Sequence, residues 1–238
     1  MSAKIALITG ANKGIGFEIA RQLGELGITA VIGARDEQRG KAAADKLGQP
    51  FVQLDVTDPR SVETAAKWIE QEYGRLDILV NNAGITVPPP AGVPTGTTLE
   101  TLRNMYETNV FGVVTVTNAM LPLLRKAPAA RIVNQSSELA SKTQVMLEDT
   151  PLWPLNNMPY NSSKAALNMI TVAYAKELWG SPIKINACDP GYCATDINAH
   201  QGFLTAEHGA KIAVQLATIG EDGPNAAFFK HDGSALPW

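Results

Sequence analysis

The stretch Thr9-Gly10-Ala11-Asn12-Lys13-Gly14-Ile15-Gly16 decides the fold of this chain. It follows the apolar run Ile5-Ala6-Leu7-Ile8, which predicts a buried strand, and precedes a segment with apolar residues at helical spacing through Leu26. A glycine-rich turn between a strand and a helix suits a nucleotide phosphate. The helix N-terminus presents unpaired N–H groups, and residues without Cβ let the anion approach the backbone. A plain connection between strand and helix is the alternative.

The composition is that of an ordinary globular protein. The chain has 238 residues, of which 45% are hydrophobic and 18% charged, and its net charge is −3. It contains no basic block of the kind that nucleic-acid binding needs. No apolar run can span a bilayer, and the N-terminus lacks the pattern of a secretory signal. Cys188 and Cys193 are the only cysteines, which favours reduced thiols. We therefore expect a cytoplasmic protein that binds neither nucleic acid nor membranes.

Strand and helix patterns alternate along the whole chain. Predicted strands cover residues 5–8, 29–34, 51–54, 78–80, 131–134, 183–187 and 227–229. Predicted helices cover residues 17–26, 36–46, 58–69, 98–124, 160–179 and 206–217, and residues 138–159 are predicted to be irregular. This rhythm predicts an α/β fold, a doubly wound parallel sheet of Rossmann type with helices on both faces, in a single domain spanning 1–238. Ligands of such sheets bind at the carboxyl ends of the strands.

The residues after the second strand bear on the choice of cofactor. Arg35 comes first and Asp36 follows it. A carboxylate here favours NAD by accepting from the ribose hydroxyls, whereas an arginine suits the 2′-phosphate of NADP. Lys13 in the glycine turn is expected to reach the same phosphate, so the two cations favour NADP(H). The alternative is that both cations are solvated and Asp36 holds the ribose.

Two further strand ends carry polar residues. Asp55-Val56 ends the third strand, where the carboxylate is expected to accept from the adenine amino group or, alternatively, only to cap its loop. Asn81-Asn82-Ala83-Gly84 closes the fourth strand. Its side-chain amides can tie neighbouring loops together, and Gly84 lets the backbone pass close to a ribose.

Tyr160 and Lys164 carry the acid–base chemistry in this interpretation. Residues four apart lie on one face of a helix. A neighbouring ammonium lowers the pKa of a phenol, which is near 10 when unperturbed, and prepares it to exchange a proton with a forming alkoxide. Ser136-Ser137 ends the fifth strand, where a hydroxyl is expected to hold a substrate carbonyl oxygen. Alone, a tyrosine and a lysine at this spacing occur by chance in many chains.

Together, and in this order, the motifs resemble the short-chain dehydrogenase/reductase superfamily from Ala3 to about Thr195. The resemblance implies the catalytic set Asn109, Ser137, Tyr160 and Lys164, in which Asn109 helps to hold a water that links the lysine to solvent. It implies that Pro190-Gly191 lies beside the nicotinamide and that Thr195 bonds the carboxamide. Cys193 borders this site, but the sequence offers it no partnering base, so we interpret it as a spectator. No metal is expected. The implied cofactor contacts are Gly10, Asn12, Lys13, Gly14, Ile15, Gly16, Arg35, Asp55, Val56, Asn82, Ala83, Gly84, Tyr160, Lys164, Pro190, Gly191 and Thr195.

Within the superfamily, the chain looks most like the NADPH-dependent carbonyl reductases. Ser137 and Tyr160 are 23 positions apart, more than is usual, so a substrate-side insertion is expected at about 138–159 and a substrate loop at about 192–206. In carbonyl-reductase-like members such an insertion covers the substrate mouth and can block the dimerisation face. The apolar residues here favour a hydrophobic ketone or aldehyde, although they could simply pin the loop to the domain. They are Leu147, Leu152, Trp153, Leu155 and Met158, with Tyr192 and Phe203 opposite.

The sequence thus predicts an NADP(H)-dependent oxidoreductase. It is expected to reduce a ketone or aldehyde reversibly to an alcohol by hydride transfer, with Tyr160 as general acid and base. Two alternatives stay open: an NAD-linked alcohol or polyol dehydrogenase, and a non-catalytic nucleotide-sensing protein on the same fold. Whether the chain is a monomer or a homo-oligomer is undecided.

Overall fold

A computed structural model describes residues 3–88 and 91–238. In this part of the chain one seven-stranded sheet has the order β3-β2-β1-β4-β5-β6-β7, and every neighbouring pair is parallel. The strands are β1 (Ile5–Thr9), β2 (Thr29–Ala34), β3 (Phe51–Gln53), β4 (Ile78–Asn81), β5 (Arg131–Gln135), β6 (Lys184–Cys188) and β7 (Phe228–Phe229). The strand order reverses between β1 and β4, so the prediction of a doubly wound parallel sheet is confirmed.

Helices cover both faces of the sheet. On one face Ile19, Ala44 and Ile212 belong to one buried apolar cluster, and on the other Val62 and Val116 belong to a second. Burial on both faces explains why the strands read as nearly continuous apolar runs. The helices are α1 (Gly14–Glu25), α2 (Glu37–Leu47), α3 (Pro59–Tyr73), α4 (Leu99–Tyr106), α5 (Gly112–Leu124), α6 (Lys142–Val145), α7 (Met158–Glu177) and α8 (Ala206–Ala217).

Local sequence signals set several helix ends. The Asp36 side chain accepts the N–H of Arg39 at 2.9 Å and so caps α2. Asp58 caps α3 in the same way, and Pro59 occupies its first turn. Gly74 ends α3 in the left-handed conformation with φ of 72°, which glycine adopts without a steric penalty.

Three segments differ from the sequence prediction. The predicted helix 98–124 is interrupted by a π-helical stretch at Glu107–Phe111. The helix predicted from Tyr160 begins earlier, because Asn157 accepts the N–H of Tyr160 at 3.3 Å and caps α7. The segment 138–159, predicted as irregular from its prolines, contains a 3-10 turn at Glu138–Ala140 and the short helix α6.

The described helices are also informative about membrane insertion. Across residues 3–88 and 91–238, no helix combines the length and the apolar character that crossing a bilayer requires.

Candidate active site

The predicted site residues lie at the carboxyl ends of neighbouring strands, at one edge of the sheet. Six of them lie within two residues of the end of a strand, so the parallel arrangement brings these loops together. In chain order these strand ends carry Gly10, Arg35, Asp55, Asn82, Ser137 and Pro190.

The glycine turn fits closely against the loop after β4. Gly10 and Gly14 have φ of 66° and 59°, in the left-handed region that disfavours other residues. A Cβ on Gly16 would lie within van der Waals overlap of the Asn82 side-chain nitrogen. That nitrogen donates to the carbonyl oxygen of Thr9 at 2.8 Å. The expected tie between the glycine turn and the Asn-Asn-Ala-Gly loop is therefore present.

The N-terminus of α1 is open to an anion. Within the described residues no side chain caps this helix, and its first turn carries no acidic residue. Its first N–H groups, including those of Ile15 and Gly16, therefore lack a side-chain partner. A cavity of about 520 Å³ lies at this position, lined in part by Asn12, Lys13 and Gly14. The turn thus has the space and the polarity that a dinucleotide phosphate requires.

Three cations line this cavity, and two of them were missed by the sequence analysis. Lys13 lies there together with Arg39 and Lys46 of α2. Arg35, which was expected to join Lys13, is exposed and lies outside the cavity. The expected convergence of Lys13 and Arg35 on a 2′-phosphate stays a prediction, and Arg39 is a further candidate for the same contact. A helical cation four positions after Arg35 was the signal that could have identified Arg39.

Two carboxylates near the cofactor side already have partners in the protein. Asp36 caps α2 and lies 3.5 Å from the Arg39 Nε, which disfavours the alternative that it holds a ribose. Asp55 Oδ1 accepts from the N–H and the hydroxyl of Thr57 at 2.9 and 2.7 Å. The capping alternative for Asp55 is thus present, and its adenine contact stays a prediction. Val56 beside it is buried against Gly112.

The catalytic set predicted from the sequence is brought together around α7. Lys164 is 5% exposed, and its Nζ lies 5.7 Å from the centre of the Tyr160 ring. The same ammonium donates to the Gln135 carbonyl oxygen at 2.7 Å. Ser137 lies near enough to the Tyr160 phenol to lower its pKa. A Cβ on Gly84 would lie 3.5 Å from the Lys164 Nζ, so the loop after β4 closes over the lysine.

Asn109 lies in the π-helical stretch and is completely buried. Its Oδ1 accepts the N–H of Ile85 at 2.9 Å, and its Nδ2 donates to the Ile85 carbonyl oxygen and to the Ser163 hydroxyl, both at 3.0 Å. The amide therefore fastens the loop after β4 to α7. Its expected part in holding a water stays a prediction.

The protonation states at this site differ from the sequence expectation. The pKa of Tyr160 is raised to about 12, first by burial and second by the charge of Asp189, while Ser137 offsets part of this rise. Burial also lowers the pKa of Lys164 to about 8. The expectation that the ammonium makes the phenol more acidic is wrong here, because desolvation of the phenolate outweighs a cation that is directed towards Gln135. At neutral pH the phenol keeps its proton, which is the form a proton donor needs.

The segment after β6 forms the other wall. A Cβ on Gly14 would lie 3.5 Å from Thr195 Cγ2, which places Thr195 against the glycine turn. The Gly191 N–H is bound by the Asp189 carboxylate at 3.1 Å. Burial raises the pKa of the Cys193 thiol to about 11, and this thiol donates to the Pro190 carbonyl oxygen at 3.2 Å. Cys193 is thus a protonated thiol at neutral pH, which fits a spectator.

Most of the apolar side chains named for the insertion and the substrate loop are exposed, while Leu152 and Met158 are half-buried. Leu147, Trp153 and Leu155 are 42%, 46% and 48% exposed. The rings of Tyr192 and Phe203 contact each other with centroids 5.9 Å apart, and Phe203 is 81% exposed. Side chains that pinned the insertion to the domain would be buried, so these exposures favour a role in lining a substrate mouth.

The comparisons with known proteins agree with this geometry. The family model for short chain dehydrogenase matches residues 4–202. The chain is 33% identical to (-)-isopiperitenone reductase of Mentha piperita, over 96% of each chain, and 33% identical to carbonyl reductase [NADPH] 1 of Mus musculus, over 100% and 99%. Among solved structures it resembles the NADPH-bound carbonyl reductase from chicken fatty liver, with a TM-score of 0.87, 28% identity and 100% of each chain covered.

The chain belongs to the short-chain dehydrogenase family, and its similarity within the family is to carbonyl reductases, as the sequence predicted. The alignments with the Mentha and Mus enzymes run over 305 and 282 positions, more than the 238 residues present here. Those relatives therefore carry segments that this chain lacks.

Proposed function

We propose that this protein is an NADP(H)-dependent carbonyl reductase that converts a ketone or aldehyde to an alcohol, with Tyr160 as the proton donor. The observation that carries the proposal is geometric: the ring centre of the partly buried Tyr160 lies 5.7 Å from the Lys164 Nζ, one helical turn away, and Ser137 is near enough to the phenol to lower its pKa. These groups lie at the same sheet edge as the anion-binding end of α1.

The residues present fit the cofactor. The N-terminus of α1 would hold the pyrophosphate, while Lys13 and Arg39 would hold the 2′-phosphate by charge-assisted hydrogen bonds. Lys164 and Thr195 would contact the ribose and carboxamide of the nicotinamide half. When bound, the cofactor supplies the hydride for the carbonyl carbon.

The protein itself handles the oxygen and its proton. The Ser137 hydroxyl orients the carbonyl oxygen against Tyr160, whose phenol gives up its proton as the alcohol forms. A phenolate remains, and the Lys164 ammonium, 5.7 Å from the ring centre, stabilises it until a proton returns from solvent. The reverse sequence oxidises the alcohol.

The substrate is a hydrophobic carbonyl compound in this proposal. The exposed apolar side chains of the insertion at about 138–159 and of the substrate loop at about 192–206 support it, since desolvating apolar surface is the main source of affinity for such a ligand. We further propose that residues 1–238 act as a single domain. The two buried free thiols support a reducing cytoplasmic location, and the net charge of −3 supports a protein that does not bind nucleic acid.

A panel of ketones and aldehydes, offered with NADPH and with NADH, tests the proposal. We expect oxidation of NADPH with bulky or aromatic carbonyls, and loss of turnover in Tyr160→Phe without loss of NADPH binding. Binding of NADPH without turnover across the panel would favour a nucleotide-sensing role instead. Near-normal rates in Tyr160→Phe would contradict the proposed acid.

A further inference from the structure

Asp189 is a carboxylate buried between two loops of the active site. It follows β6 directly and is 4% exposed. Its Oδ1 accepts the N–H of Glu138 at 3.0 Å, and its Oδ2 accepts the N–H of Gly191 at 3.1 Å. One side chain therefore joins the loop after β5 to the loop after β6.

Of the two loops that Asp189 joins, one is expected to orient the substrate carbonyl and the other to lie beside the nicotinamide. The residue before Glu138 is Ser137, the hydroxyl expected to orient the carbonyl oxygen. Pro190-Gly191 is the turn expected beside the nicotinamide. Because each oxygen of the carboxylate is committed to one loop, Asp189 fixes the distance between them.

Two charged groups act near the Tyr160 phenol: the Lys164 ammonium, 5.7 Å from the ring centre, and the Asp189 carboxylate, whose charge raises the pKa of the phenol. The titratable groups that interact with Asp189 are Tyr160 of α7, Cys188 of β6, Cys193 of the substrate loop, Glu138 and Lys230. Lys230 is the one cation in this set from the described residues, and it is paired with Glu138 at 3.0 Å. Burial raises the pKa of Asp189 to about 6, so it is still a carboxylate at neutral pH. Its charge disfavours a phenolate at Tyr160.

We propose that Asp189 is a positioning residue for the reaction, holding the Ser137 loop against the Pro190-Gly191 turn and, through its negative charge, keeping the proton on Tyr160. This inference rests on the proposed role of Tyr160. It assigns to the protein a built-in bias towards carbonyl reduction, because reduction starts from the protonated phenol and oxidation from the phenolate.

The first test is the tyrosinate titration of Tyr160, read as the absorption difference between each protein and the same protein carrying Tyr160→Phe. In the wild-type enzyme the pKa near about 12 places this signal at strongly alkaline pH. In Asp189→Asn we expect it at a pH lower by about one unit or more, the usual size of the effect of one close charge. The alkaline rise of alcohol oxidation should move in the same direction. Glu138→Gln is the matched control, since it removes a neighbouring carboxylate but should leave the Tyr160 titration in place.

Further variants separate charge from geometry. Asp189→Glu keeps the charge but not the length, so the Tyr160 titration should stay while kcat falls several-fold with little change in the substrate KM. Asp189→Ser is a second neutral variant in case the misdirected amide of Asn prevents folding. A third measurement needs no substitution at Asp189. The ring ¹³C signal of Tyr160, assigned by its loss in Tyr160→Phe, should shift as Asp189 titrates at a pH of about 6.

An unchanged Tyr160 titration in the neutral variants, or a Tyr160 signal that does not respond near that pH, overturns the electrostatic role. Wild-type kcat in Asp189→Glu overturns the positioning role. Failure of the proposed function looks different, because it requires that Tyr160→Phe itself retain turnover.

Discussion

The ammonium of Lys164 lies 5.7 Å from the centre of the Tyr160 ring and donates at 2.7 Å to the carbonyl oxygen of Gln135. The cation therefore acts on the phenol through space, while a backbone acceptor fixes its position. Because burial lowers the pKa of Lys164 to about 8, the charge is present at neutral pH and is lost in mildly alkaline solution.

This protonation behaviour gives a pH dependence for reduction. As pH rises through about 8, Lys164 loses the charge that stabilises the phenolate, while Tyr160 keeps its proton up to about 12. We expect kcat for ketone reduction to be level at neutral pH and to fall through this range. Lys164→Met should lower kcat and remove the fall. A wild-type profile that stays level far above that pH would contradict the assigned role of the charge.

The same lysine contributes to the pH dependence of stability. Its pKa is lowered from 10.5 to about 8 on folding, so between these values the unfolded chain binds more protons. The contribution of Lys164 to the free energy of unfolding therefore rises with pH in that window. Urea unfolding of the wild-type protein and Lys164→Met at several pH values measures it. The difference in the free energy of unfolding between the wild-type protein and Lys164→Met should change with pH in this window and level off above it.

The glycine turn gives a prediction with a strict control. A Cβ at position 16 would overlap the Asn82 amide and lie 2.8 Å from the Gly10 carbonyl oxygen. Gly16→Ala should therefore lower the free energy of unfolding by about 1–3 kcal/mol and weaken NADPH binding. Gly220→Ala, where nothing lies within 4 Å of the added Cβ, should change neither. Equal behaviour of the two variants in urea unfolding would contradict the packing described for the turn.

The cations of α2 predict how the enzyme selects its cofactor. Arg39 and Lys41 of α2 are both exposed and both paired with a carboxylate, Arg39 with Asp36 at 3.5 Å and Lys41 with Glu37 at 2.6 Å, but only Arg39 lines the cavity with Lys13. Arg39→Ala should raise the KM for NADPH roughly 10- to 100-fold, the effect of losing about 1.5–3 kcal/mol of charge-assisted hydrogen bonding, and leave that for NADH unchanged. Lys41→Ala should have no effect on either KM.

Arg35 provides the second half of that experiment. Since it lies outside the cavity, Arg35→Asp should change the NADPH preference less than Arg39→Ala does. A larger effect at Arg35 would restore the original sequence interpretation, in which Arg35 and Lys13 share the 2′-phosphate.

The buried amide of Asn109 predicts a cost in stability. Asn109→Ala removes the partners of the N–H and the carbonyl oxygen of Ile85, at about 0.5–1.5 kcal/mol for each hydrogen bond lost. Asn104 on α4 is exposed, and Asn104→Ala should be neutral or slightly stabilising because alanine is the better helix former. Chemical denaturation of both variants measures the difference.

The order of the elements was accessible from the sequence because each strand is buried on both faces. A short continuous apolar run between two helical segments, such as residues 29–34, predicts a buried strand, and β2 has the predicted bounds. The start of a helix could be predicted where the capping residue directly precedes the helix, as Asp36 precedes α2. The π-helical stretch at Glu107–Phe111 could not be predicted, because its reason is the bonding of Asn109 to a loop that lies 24 residues away in sequence.

The acid–base machinery shows the same division between local and long-range information. The four-residue spacing of Tyr160 and Lys164 is a local property of a helix and was read correctly. The direction of the Tyr160 pKa was not, because it depends on desolvation and on Asp189, neither of which leaves a pattern near position 160. A single aspartate after a strand has no distinguishing signal until the fold places it between two loops.

The ion pair between Lys13 and Asp196, 2.5 Å long, connects the glycine turn to the loop after β6. Any anion that Lys13 binds must compete with Asp196 for one ammonium, so loading of the nucleotide and release of that loop are thermodynamically linked. We expect the two reactants to add in a compulsory order, nucleotide first, with a dependence on ionic strength that Asp196→Asn weakens.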